Sequence, residues 1–377
     1  MAFTASLMPD ILYEVNELFA SPNTSQARYG QQPTAAPALL LQQTATSKPR
    51  LTDGSCVGAT VWFYDAGASN TIYEGSNVDT GLACDNSACG QGQTASIPFD
   101  NNIAFHDCKA AQEDRCDNEL SFVMESARVI QHLMYQMRLA LNKKVINTLF
   151  AEAQQNQVPA NLMPNYINER GGSNILEIDH ANMTEALLFA TLVDIRSLNL
   201  QNSIPNQILL NGRNFQTSAI LAQYNALNDD QRSQKAIFDG LGRDMVWDTH
   251  TTHGIDALTG ELSTLAVNPN AYIFWNYNFF ENQPNMKDGS INLWNFSMED
   301  PDMYYMDGGV RKPVVYDFEH TYACTGYDAA GKRKYLHNYR IFLRGGFKMS
   351  PKGFNMAGTS QVYSGVMHYV VNADSGS

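Results

Sequence analysis

Residues 117–156 read as one unbroken helix of about forty positions, with no Gly or Pro inside it. Apolar residues recur at Leu120, Val123, Ala127, Ile130, Met134, Met137, Leu141, Val145 and Leu149. Their mean spacing of about 3.6 is the period of a straight α-helix rather than of a supercoil. Asp114, Asp117 and Glu119 lie near its start, where the helix dipole favours anions, and Lys143 and Lys144 lie toward its end. At 1.5 Å per residue the rod is roughly 60 Å long. A compact globule of the whole chain is only about 55 Å across, from a radius of gyration near 21 Å. The helix is thus as long as the body it belongs to, and reads as a spine. A second apolar set, Met124, Val129, Leu133, Leu139, Ile146 and Phe150, lies off the main stripe. It predicts cover from two sides, by a sheet of the same chain and by a second subunit.

Nothing before the helix has the pattern of a packed domain. Pro9 to Ala20 is a short amphipathic helix, and Ser21 to Arg50, with Pro22, Pro33, Pro37 and Pro49, is an extended arm. Val57 to Asp65 and Ala95 to His106 read as strands, the second with Pro98 at its edge, around a polar tract from Ala66 to Gln93. A long hairpin of this kind is marginal alone in water and must lie on something. After the spine, Asp179 or Asn182 caps a helix running to Leu198, Gln207 to Leu210 is a buried strand, and Asn211 opens a helix to about Ala226. Asp244 to Thr249 and Ala271 to Tyr277 are strands, and the alternation predicts a compact α/β unit. From Trp294 onward the chain is aromatic and strand-like, with a turn at Tyr327 to Lys334 and strands at Asn338 to Phe347 and Gln361 to Val371.

The net charge of −13 argues against sequence-independent nucleic-acid binding, which needs a basic surface, and Lys332, Arg333 and Lys334 are the one basic cluster. No apolar run approaches 18 residues, and Asp10, Glu14 and Glu17 interrupt the first twenty, which therefore do not read as a secretory signal. The expectation is a chain made in a cytoplasm, without membrane contact. Charged residues are 17% of the chain, and 34 Asn and 21 Gln supply polar surface in their place. Amides are much cheaper to bury than charges, so this composition suits a surface covered by partners, although a secreted or thermally undemanding enzyme tolerates it as well.

Four of the six cysteines, Cys84, Cys89, Cys108 and Cys116, are clustered; Cys56 and Cys324 stand apart. Their spacings are not those of a zinc knuckle, and free thiols or a late loop disulfide are the readings left open. His250 and His253 with Asp248 and Asp256 form an H-x-x-H lacking the glutamate of the helical zinc motif. Gly240 and Gly242 lack the third glycine of a dinucleotide fingerprint, and there is neither a nucleophile elbow nor a P-loop. His106, His132, His180, His320, His337 and His368 are scattered along the chain, and no catalytic constellation is read from them. No catalytic, cofactor-binding or metal-ligating residues are assigned, and no cofactor is expected.

The order of arm, long β-excursion, spine helix, compact unit and returning strands resembles the major capsid proteins of tailed bacteriophages, the Hong Kong 97-like fold. The text around Ile204 to Arg213 (IPNQILLNGR) and Pro269 to Phe274 (PNAYIF) is similar to strands of that family's axial domain. The resemblance implies an α+β chain divided into an N-terminal arm (1–50), an extended β-loop (51–111), a peripheral domain (112–174) with the spine helix at 117–156, an axial domain (175–306), and returning strands (307–377) that complete the peripheral domain. It implies an icosahedral head that encloses double-stranded DNA and is built of hexamers and pentamers. The partners implied are further copies, a portal, and scaffold or decoration proteins, with DNA touched non-specifically if at all. The location implied is the virion, with assembly in the host cytoplasm. Some members crosslink through a lysine on the extended loop, and this chain has none between Arg50 and Lys109. Two other readings stand beside it: an encapsulin-like compartment, and a soluble α/β hydrolase using His250 and Asp248.

Overall fold

The computed structural model describes residues 7–20, 50–51, 58–64, 92–98, 103–112, 119–153, 167–169, 175–179, 207–211, 243–247, 262–267, 272–276, 286–288, 291–307, 310–327, 331, 333–349, 354–355, 362–363 and 365–372. Within them the chain is mixed α and β. Helix α1 spans Met8–Ala20 and α2 spans Glu119–Ala153. The 35 residues of α2 make a rod about 52 Å long. Asp117 and Asn156, the expected ends, lie outside the described residues.

Two six-stranded sheets flank this rod. The first has the order β10 (Tyr272–Asn276), β14 (Arg333–Met349), β13 (Val310–Tyr327), β12 (Ile291–Asp307), β11 (Met286–Asp288), with β4 (Ile103–Gln112) also on β14. Every pair in it is antiparallel. The second has the order β5 (Ile167–Glu169), β6 (Ile175–Asp179), β17 (Val366–Asn372), β9 (Leu262–Val267), β7 (Gln207–Asn211), β8 (Arg243–Trp247). It is mixed, with β6 parallel to β17 and β7 parallel to β8. A smaller antiparallel sheet joins β1 (Arg50–Leu51), β2 (Gly58–Tyr64) and β3 (Gly92–Pro98), and β15 (Phe354–Asn355) pairs with β16 (Val362–Tyr363).

The side-chain alternation of strands decides which sheet face is buried. Val314, Tyr316, Phe318 and His320 of β13 point to the same side as His337, Tyr339, Ile341 and Leu343 of β14, and all are buried. Helix α2 lies on that face and bridges the two sheets. Near its start Phe122 packs on His337 of β14, with ring centroids 4.7 Å apart. Near its end Phe150 meets His368 of β17 edge-on at 5.0 Å.

The predicted stripe is buried from Val123 to Leu149, but its first member, Leu120, is 63% exposed. Leu120 precedes the part of the helix that the first sheet covers. In the second set Leu133 and Ile146 are fully buried, while Met124 is exposed. The same chain supplies cover beyond the sheet. Met8, Ile11 and Val15 of α1 are buried in one core with α2.

Other boundaries differ from the sequence reading as well. The single strand expected from Ala95 to His106 is two strands in different sheets, β3 and β4. Pro98, which cannot extend a ladder as a donor, is the last partner in β3, opposite Gly58. Residues 272–276, expected to enter the axial sheet, pair with β14 of the first sheet. The expected division at residue 306 falls inside β12, and the last strand, β17, lies in the sheet of residues 167–267. The helices expected after Asn182 and Asn211 lie outside the described residues, and Asp179 and Asn211 are the last residues of strands.

Candidate assembly surface

Two buried polar groups fix the sheet against the helix and thereby set where its strand ends point. The first centres on Arg138, which sits in the apolar stripe of α2 and is fully buried. Its Nε donates to Asp300 Oδ2 at 2.7 Å, and its Nη2 donates to Asp300 Oδ1 and, at 3.1 Å, to Asp302 Oδ2. The Tyr316 hydroxyl donates to Asp300 Oδ2 at 2.8 Å, and the Asp302 and Met303 N–H groups donate to Oδ1. The ring of Phe19, from α1, lies 5.1 Å from the guanidinium carbon, close enough for a cation–π contact. Burial by itself lowers the pKa of Arg138, but the Asp300 carboxylate outweighs it and the guanidinium is held charged more firmly than usual. Burial, then Asp300, raises the Tyr316 phenol. One guanidinium therefore joins α1, α2, β12 and β13.

Asp300 opens a wide bulge. The register moves from Glu299 opposite Val315 to Tyr304 opposite Pro313, so residues 300–303 oppose Val314 alone. Pro301 needs no ladder donor there, and the Asp300 side chain takes up N–H groups that the bulge would otherwise strand.

The second polar group is a stacked histidine pair. His320 Nε2 and His337 Nδ1 are 3.1 Å apart, with ring planes within 6°. Tyr339 stacks on His320 and Tyr322 on His337, which makes a short aromatic ladder across β13 and β14. Burial, and then the neighbouring His337, hold the pKa of His320 down to about 3, so it is neutral near pH 7.

Around these anchors β13 is staggered against its neighbours. At one end β14 leaves it at Asp317 opposite Phe342, while the ladder with β12 continues to Asp307 opposite Val310. Asn276, the last residue of β10, seals this step. Its Oδ1 accepts the Val315 N–H at 2.7 Å, and its Nδ2 donates to the carbonyls of Val315 and Arg344. Beyond it, 304–307 and 310–314 form a two-stranded ribbon whose tip exposes Val310, Arg311 and Lys312. Arg311 lies over the Tyr304 ring at 3.7 Å. At the other end β12 stops at Tyr322 and β4 at Leu336, while β13 and β14 continue to Tyr327 opposite Arg333. Tyr327 is 65% exposed there, and Gly331 takes the left-handed φ of +77° that the turn needs.

No protein-family model matches the sequence, and no curated protein does. Solved structures do match. The capsid structure of the cyanophage P-SCSP1u aligns over 87% of this chain and 87% of its own, at 10% identity and a TM-score of 0.41. A chain of Microbacterium phage Oxtober96 aligns over 94% of this chain and 93% of its own, at 12% identity and a TM-score of 0.42. The mature capsid of bacteriophage PhiM1 aligns over 86% of this chain and 84% of its own, at 10% identity and a TM-score of 0.37. This chain is similar to phage capsid structures.

Of the residues singled out from sequence, the structure brings His320 and His337 together. Cys108 and Cys324 are exposed free thiols, and Cys56, Cys84, Cys89 and Cys116 lie outside the described residues, as do His180, His250, His253, Asp248 and Asp256. His132 is exposed on α2 and contacts Gln136. Among the described residues no group of His, Cys, Asp and Glu is placed to hold a metal ion, and no helix is long and apolar enough to cross a membrane. Sequence reasoning missed the Arg138 cluster and the His320–His337 pair. The available signal was Arg138 itself, a lone charge between Met134 and Leu141 on a buried stripe, which demands a carboxylate partner.

Proposed function

We propose that this chain is the major shell subunit of a tailed bacteriophage head, assembling as hexamers and pentamers around double-stranded DNA. The observation that carries this reading is the staggered first sheet. Two-stranded ribbons leave both ends of β13, and the hairpin of β2 and β3 is a further sheet of few strands. Such elements are marginal alone in water, and further copies of the chain supply their cover. The apolar stripe of the spine and the inward faces of β13 and β14 share one core with α1, and this core acts as the block from which the outlying ribbons extend. The low charge and abundant amides of the chain suit large permanent contacts, whose cores are depleted in charge. An acidic coat leaves packaged DNA ungripped.

The Hong Kong 97-like division of the chain into arm, extended loop, peripheral domain and axial domain belongs to this proposal. So do the portal and scaffold or decoration partners, assembly in the host cytoplasm, and final location in the virion. Negative-stain microscopy of the purified full chain is expected to show closed shells or rings. A single small oligomer at all concentrations overturns the proposal and favours the hydrolase reading. Because residues 51–108 contain no lysine, mature particles are expected to dissolve to single chains on a denaturing gel. A ladder of crosslinked chains contradicts this.

A further inference from the structure

We propose that the His320–His337 pair is an acid-sensitive latch on the first two turns of α2, which fray from the first sheet in mild acid while the rest of the rod stays docked. The device lies within one subunit and stands whether or not the chain builds a shell. The rod is fastened at two places of different kinds. In its middle the charged Arg138 is tied to Asp300, and the stripe from Ile130 to Leu149 is buried around it. At its start the grip is thinner. Leu120 and Met124 are exposed, and the first two turns hold the sheet through Phe122, Val123, Ser126 and Ala127. Phe122 rests on the ring of His337. A helix end with so little tertiary cover frays readily.

Protonation acts on that grip. The contact between His320 Nε2 and His337 Nδ1 holds one proton, and charging both rings places two there. The charge is dry, since both imidazoles are buried. It also sits beside the start of a helix, where the dipole disfavours cations. Tyr322 and Tyr339 stack on the pair, and Tyr335 adjoins Tyr322. On β4 the register sets Lys109 opposite Tyr339, so a further cation stands on the same face. The carboxylates on the elements packed here are Asp107 of β4, opposite Ile341, and Glu119 and Glu125 of α2. When the helix start lifts, water reaches the rings and solvates the charge, so each proton bound favours the open form.

The test is hydrogen exchange, read by mass spectrometry, on the unassembled full chain at pH 7 and pH 5, a window in which ordinary carboxylates stay ionised. Each rate is divided by that of an unstructured amide at the same pH. His320 takes up its proton near pH 6.5 when open and only at about pH 3 when closed, so protection of amides 123–127 is expected to fall on the order of thirtyfold. Amides 138–149 are expected to keep their protection. His320→Phe is expected to lose most of the pH dependence at 123–127, and His320→Leu serves the same purpose should that variant not fold. Protection that falls evenly along α2, that does not fall at 123–127, or that falls equally in the variant overturns the latch.

Discussion

Arg138→Met is expected to lower the unfolding free energy of the subunit by about 3–5 kcal/mol, the cost of leaving a buried charge without its partner. Methionine fills much of the volume, so the loss measures the charge and not a cavity. Asp300 is then left in the core with only Tyr316 and two backbone N–H groups as donors. Urea unfolding of the unassembled subunit measures the effect. Adding Asp300→Asn removes the stranded charge and is expected to recover part of the loss. An exposed pair such as Arg340 with Glu319, 3.5 Å apart, gives the scale for comparison, since pairs of that kind contribute at most about 1 kcal/mol. A loss that small for Arg138→Met means the cluster does not hold the helix to the sheet.

The histidine pair predicts an acid transition. The unfolded chain takes up the His320 proton near pH 6.5, and the folded chain does so only at about pH 3, because burial and then His337 oppose the charge. Between those values the folded state holds fewer protons, so stability falls as pH drops through the window and is complete above it. Each pH unit costs about 1.4 kcal/mol, which amounts to about 3 kcal/mol by pH 4. Comparing urea midpoints at pH 7 and pH 4 for wild type and His320→Phe isolates this from the carboxylates. The variant keeps an aromatic ring in the stack and is expected to show a shallower loss. Equal losses in the two proteins assign the acid sensitivity elsewhere.

Much of the architecture was legible because it is local. A run of 35 residues without Gly or Pro, at a period near 3.6, specifies α2 whatever surrounds it. The alternation of β13 specifies its inward face. What stayed hidden depends on partners far away in the chain. Nothing local tells Tyr272–Asn276 to join β14 and not the sheet of β9, its neighbour in sequence. The two histidines meet because the register sets Tyr322 against His337 and His320 against Tyr339, a fact of the ladder and not of either segment. Arg138 and Asp300 are separated by 162 positions, so the lone charge was visible but its partner was not. The part that α1 plays in covering the spine was hidden for a related reason. An amphipathic α1 states that it needs a surface, but not whose.

The single guanidinium under Phe19 also limits how the subunit deforms. Sliding α2 along the sheet by one turn, about 5.4 Å, strands two ions at once, whereas Leu or Ile at position 138 would let the rod creep between nearly equal perches. The pin makes the block stiff against shear. In the proposed shell, changes of curvature then fall on contacts outside this block.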